Sequence, residues 1–232
     1  MRQAQARPLP MQIVMCWRAI SLLLLWCPLA WAGTLDIVVV SDGFTDMAEF
    51  HTKAEKSRVL LASLEPFKSR PQDWTWREVE NTTPLGCHES ITRLLLCDLA
   101  KAKAVAGAAD RIIVLSKGHG NKGSGGNPAV CSTGTYGWRV CVHEFAHLLG
   151  NLHDEYVLYT TGAAAERMLT NCWAGVAPPD TRPWRSGCTY GNWWRLEPCT
   201  LMRKVDIGSC AYFGELSVVA LNKALDYWVG QP

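Results

Sequence analysis

Apolar residues cluster along this chain in two rhythms. Residues 35–41 (Leu-Asp-Ile-Val-Val-Val-Ser) and 111–116 (Arg-Ile-Ile-Val-Leu-Ser) are almost continuously apolar and rich in β-branched side chains. Such runs predict strands buried on both faces. Residues 74–80 alternate more loosely, with Trp74, Trp76 and Val79 against Thr75, Arg77 and Glu78, and predict another strand. Elsewhere apolar positions recur at helical spacing. One helix is expected from Asp46 to Leu64, capped by Thr45 and ended by Pro66. Others are expected from Glu89 to about Val105, from Tyr136 to Gly150 and from Glu215 to Trp228. In the last of these, Leu216, Val219, Ala220, Ala224, Leu225 and Tyr227 form an amphipathic stripe. Residues 118–127 hold five glycines and predict a loop that lets the backbone run close to an edge strand at 129–133.

The order strand, helix, strand, helix, strand predicts an α/β (α+β) fold, with helices against a mixed, mostly parallel sheet. Beyond Gly150 the texture changes. Residues 172–200 are rich in Trp, Pro and Cys and predict irregular structure held by disulfides and aromatic packing. Trp193 and Trp194 there either line a groove or fill a small core. One domain, 33–232, is expected, with an upper subdomain 33–150 and a disulfide-rich lower subdomain 151–232.

The first 32 residues read differently. Arg2, Arg7 and Arg18 precede or open an apolar run from Ala19 to Leu29, and Ala30-Trp31-Ala32 is a small-x-small cleavage pattern. This predicts a signal peptide cleaved near Ala32, hence a secreted or periplasmic protein. Met11 or Met15 are alternative starts. The run is too short for a membrane span, and Trp26 is too bulky before Cys27 for lipoprotein processing. With Gly33 almost against the first strand, no inhibitory propeptide is expected. Removing residues 1–32 lowers Lys+Arg from 23 to 20 against 21 acids, so the +2 of the full chain becomes −1. Nothing in that balance favours nucleic acid as a partner. Of ten cysteines, Cys16 and Cys27 lie in the leader and eight remain. An even number in an exported chain predicts disulfides, with the sequence neighbours Cys87–Cys97, Cys172–Cys188 and Cys199–Cys210 as the expected pairs. No C-x-x-C pair suggests a cysteine zinc site.

The candidate chemistry lies in residues 143–154, His-Glu-Phe-Ala-His-Leu-Leu-Gly-Asn-Leu-His-Asp. His143 and His147 are four apart, so on a helix their rings share a face and can hold one Zn²⁺. Gly150 can adopt positive φ, ending the helix and bringing His153 back as a third ligand. Three protein ligands leave one position open, as in catalytic zinc sites. Glu144 is then the general base toward an attacking water. His119 in the glycine-rich loop is expected to face solvent, and that loop lacks the Gly-Lys-Ser/Thr ending of a phosphate cradle.

Four stretches carry a family resemblance: Asp42-Gly43-Phe44-Thr45 after the first strand; Gly123-Ser124-Gly125-Gly126; the H-E-F-A-H string with Leu152 and Asp154-Glu155-Tyr156; and Cys199-Thr200-Leu201-Met202-Arg203 with Cys210. Together they span most of residues 35–212, and in them the chain resembles the IgA peptidase family of secreted bacterial zinc metallopeptidases. The resemblance implies a metzincin-like fold and a zinc endopeptidase acting on a protein or peptide substrate. It also implies a Met-turn beneath the zinc, which Met202 fits by position. His153 matches the general metzincin pattern; where the narrower family uses a carboxylate, Asp154 is the matching residue, and it stays as the alternative third ligand. The tyrosine that follows the Met-turn methionine by two in some metzincins is absent, with Lys204 in its place, so Tyr156 and Arg203 are the candidate oxyanion stabilisers. Two other classes remain open: a secreted binding or structural module that holds zinc without turnover, and a zinc hydrolase of cell-wall peptide amides.

Overall fold

The computed structural model describes residues 33–90, 94–163, 165–176 and 178–230; the expected leader lies outside them. The first half builds a five-stranded sheet. Strand β1 (Leu35–Asp42) is followed by helix α1 (Met47–Ser63) and β2 (Trp74–Val79). The short strands β3 (His88–Glu89) and β4 (Leu95–Leu96) then precede α2 (Leu99–Ala106) and β5 (Arg111–Ser116). Strands β6 (Gly123–Ser124) and β7 (Ala129–Ser132) lead into α3 (Gly137–Gly150). The sheet order is β2-β1-β5-β7-β6, parallel except for the antiparallel edge strand β6. The fold is therefore mixed α/β, with four α-helices among the described residues once the last is added.

The continuous apolar runs have the meaning expected of them. Leu35, Ile37 and Val39 of β1 face one core with Phe50, Phe145, Leu149 and Leu221 from the helices. Val38 and Val40 face a second core with Leu85, Leu95 and Ala102. A strand buried on both faces has no polar side to display.

Two helix boundaries differ from expectation. Asp46, not Thr45, caps α1, its Oδ1 accepting from the N–H groups of Ala48 at 2.9 Å and Glu49 at 3.4 Å. The helix expected over 89–105 is instead a small β3–β4 hairpin followed by the shorter α2, capped by Asp98. The Cys87–Cys97 disulfide holds the two Cα atoms 4.0 Å apart, whereas ten residues of helix would separate them by about 15 Å.

The second half is less regular, but more ordered than its composition predicts. Strands β8 (Val157–Tyr159), β9 (Arg167–Met168), β10 (Trp173–Ala174) and β11 (Arg185–Arg195) form a sheet in the order β8-β11-β10-β9. The eleven-residue β11 lies within the stretch expected to be irregular; its sequence has glycines, no clean alternation and short partners. Helix α4 (Glu215–Val229) closes the chain against α3, burying Ser217, Leu221 and Leu225, while Val219 and Tyr227 of the expected stripe are exposed. The disulfides are Cys87–Cys97, Cys131–Cys141, Cys172–Cys188 and Cys199–Cys210, including all three expected neighbour pairs. Four disulfides fit an oxidising compartment. Among the described residues no helix is long and apolar enough to cross a membrane.

Candidate metal centre

Helix α3 supplies His143, Glu144 and His147, a group able to hold a metal ion. The helix is anchored by packing: Val142, Phe145, Ala146 and Leu149 are buried in the first core, so the neighbouring face is committed to the cleft. Its end is made differently from expectation. Gly150 is helical, and Asn151 takes the left-handed cap at φ 49°, its N–H bonding the His147 carbonyl. Gly150 is needed for closeness: a Cβ there would stand 2.9 Å from Leu221 of α4. Asparagine tolerates the left-handed region because its short polar side chain can bond locally.

The two imidazoles are oriented from behind. His143 Nδ1 lies 3.0 Å from the Leu201 carbonyl and His147 Nδ1 2.6 Å from the Leu152 carbonyl. A carbonyl only accepts, so each Nδ1 carries the hydrogen and each neutral ring presents a bare lone pair at Nε2. The two Nε2 atoms are 3.1 Å apart. Asp154 Oδ1 completes a triangle, 3.0 Å from His143 Nε2 and 3.2 Å from His147 Nε2. That oxygen is buried and makes no well-directed hydrogen bond. Two lone pairs and a carboxylate oxygen repel one another at such distances unless a cation or proton lies among them. Bonds of about 2.0–2.1 Å to a tetrahedral ion would set ligand atoms about 3.3 Å apart, close to the triangle observed. The donor set therefore fits a metal ion.

Without the ion, protonation does part of the same work. Burial acts to lower the His143 pKa, but Asp154, Glu144 and the Leu201 carbonyl outweigh it and raise it to about 9. Burial acts to raise Asp154, and the two histidines hold it far below the usual carboxylate range. Glu144 is pushed up by burial against the pull of both histidines.

His153 stands elsewhere. Its ring packs edge-on against Trp193, 5.9 Å between centres, and both its backbone N–H and its carbonyl bond Asn171. Trp193 also contacts Tyr190, and the Trp194 indole N–H donates to the Gly175 carbonyl. His119 is half-buried, its Nδ1 3.4 Å from Glu89 Oε1.

Asp154 is delivered by a polar network with no counterpart on α3. Glu155 is buried; its oxygens accept from Thr200 Oγ1 at 2.6 Å and Asn171 Nδ2 at 3.1 Å, and its N–H bonds the Met202 carbonyl. Burial raises the Glu155 pKa to about 7 despite the Thr200 and Asn171 bonds. Thr189 Oγ1 donates to the Asp154 carbonyl at 3.0 Å. Asn171 and Thr189 escaped the sequence reading, and Thr200 entered it only within the resemblance stretch, with no role; each is next to a half-cystine (Cys172, Cys188 and Cys199), which is the signal that would have found them. Met202 is fully buried in the first core, one residue after the carbonyl that orients His143.

A cleft of about 620 Å³ opens onto the group. One wall is the glycine-rich edge. A Cβ on Gly123 would fall 2.5 Å from Glu144 Cγ, and one on Gly125 2.1 Å from His147 Cβ. The glycines thus let bare backbone lie against both side chains. Leu94 and Leu158, 46% and 50% exposed, flank the opening. Tyr156 lines it too, stacked 6.4 Å from the His143 ring. Burial and the Asp154 charge push the Tyr156 pKa up, so it keeps its O–H. Arg203 lies in a separate small recess beside His143 and Glu144, which Tyr156 also borders.

No known protein-family model and no curated protein matches the chain.

Proposed function

We propose that the chain is a secreted or periplasmic zinc endopeptidase of metzincin-like build, as the resemblance to the IgA peptidase family implies. The observation that carries the reading is the triangle of His143 Nε2, His147 Nε2 and Asp154 Oδ1, at 3.0–3.2 Å, with Glu144 beside it in an open cleft. In this reading the third ligand is Asp154, and His153 supports the turn that carries it. Bound there, Zn²⁺ supplies a Lewis acid and brings water toward ionisation near neutral pH.

The remaining roles belong to the chain itself. Glu144 takes a proton from the attacking water and delivers it to the departing amine. A carboxyl pushed up by burial suits both halves of that task. Tyr156, protonated and bordering both cavities, donates to the carbonyl oxygen as it gains charge. An extended substrate can add as a further strand along the edge strand β6, whose Gly123 lines the cleft.

The test is an unbiased peptide library offered to the oxidised, zinc-loaded chain and to Glu144→Ala. The expected result is cleavage by the natural chain and a loss of about 10²-fold or more in the variant with zinc retained. Equal cleavage by both would remove Glu144 from its role. No cleavage by either, with zinc in place, would favour a binding module.

A further inference from the structure

The recess that holds Arg203 has about 160 Å³ and shares Asn121, His143, Glu144 and Tyr156 with the main cleft. Val140 of α3 and Val205 give it apolar walls. Its polar lining beyond the centre is made of donors. Asn121 Oδ1 accepts from the Tyr136 N–H at 2.7 Å, which leaves its amide hydrogens to the recess side chains or solvent. Arg203 is half-buried, and among the described residues its guanidinium has no ion pair or hydrogen bond.

That makes it unlike its peers. The other buried or half-buried arginines among the described residues are all engaged: Arg58 and Arg70 with carboxylates, and Arg111, Arg139 and Arg195 with carbonyls. Withdrawing a guanidinium from water without a partner is unfavourable, and the fork is shaped for two parallel bonds to a carboxylate. Arg139 adds a second cation behind the wall, its Nη1 bonding the Val205 carbonyl at 3.2 Å. Among the described residues that line the recess, Glu144 is the one acid.

We propose that this recess reads a carboxylate on the substrate beside the scissile bond, with Arg203 as the specificity-determining residue; this rests on the peptidase reading above. The carboxylate is that of an Asp or Glu side chain or of a chain terminus. The volume has room for side chains of that size. Arg203 here recognises substrate, whereas Tyr156 faces the reacting carbonyl.

The experiment measures binding, separately from turnover. Zinc-loaded Glu144→Ala protein is titrated with acetylated hexapeptides in which a single Glu or Gln is walked along the sequence, each with a free or an amidated C-terminus. The expected result is binding tighter by about tenfold for the acid at one position, the effect of one charge-assisted pair. Arg203→Gln in the same background should erase that preference with zinc content unchanged, and Arg203→Lys should keep part of it. A preference that follows C-terminal amidation assigns the terminus; one that follows Glu against Gln assigns the side chain. Equal binding of acid and amide peptides, or a preference that survives Arg203→Gln, overturns the proposal. Cleavage by the active chain without acid preference would sink this inference alone, while acid-selective binding without any cleavage would sink the peptidase reading alone.

Discussion

His143 and His147 are held by apolar packing, and Asp154 by hydrogen bonds and cross-links. The α3 side of the site rests on Val142, Phe145 and Leu149 in a core shared with β1, α1 and α4. The Asp154 side rests on Glu155, Asn171, Thr189 and Thr200, beside the Cys172–Cys188 and Cys199–Cys210 disulfides. The first arrangement grows with buried area and tolerates small changes of shape. The second works only when each polar partner is satisfied and the loops stay closed. A site shared by the two can come apart through the second half while the first remains folded.

Removing both lower disulfides by Cys→Ser replacement is the strongest way to break the comparison. Each is expected to contribute about 2–5 kcal/mol. Hydrogen exchange should then show lost protection over β10 and β11, retained protection over β1 and β5, and zinc binding lost with the lower half. Uniform loss across both sheets would mean that the halves are one cooperative unit. Phe145→Ala attacks the other half and should cost about 3–5 kcal/mol in denaturant unfolding. Below its transition it should still bind zinc, because its neighbours on the opposite helix face keep their carbonyl partners.

Glu155 sharpens the contrast through pH. Its folded pKa of about 7 lies above its ordinary 4.5. Between those values the folded chain keeps a proton that the unfolded chain releases, so this group makes stability fall as pH rises through that window. The effect is at most roughly 3 kcal/mol across it. Unfolding of the zinc-free chain against pH should show that decline, and Glu155→Gln should flatten it. An unchanged slope would place the titration elsewhere.

The same physical difference decided what could be read in advance. β1, β5 and α3 were legible because burial on one or both faces imposes a periodic apolar pattern. The 87–98 segment was not, because helical spacing there gives way to a covalent loop closure between Cys87 and Cys97. β11 was not, because hydrogen bonds to short partner strands hold it in place of an alternating face. In the site, His143, Glu144 and His147 followed from the pitch of one helix. His153 and Asp154 are adjacent residues beyond the helix, and spacing alone cannot say which of two neighbours on a turn faces the imidazole pair. Asp154 does so, while Asn171, eighteen residues from His153, bonds both of its backbone groups.

In the function proposed above, the lower half completes the metal centre through Asp154. Zinc content and competitive chelator titration of the natural chain, Asp154→Ala and His153→Ala test it most directly. Asp154→Ala should lose more than about 100-fold in affinity, beyond the usual effect of losing a supporting residue, while His153→Ala should stay within about tenfold. A His153→Ala chain emptied of zinc beside a zinc-replete Asp154→Ala chain would contradict it.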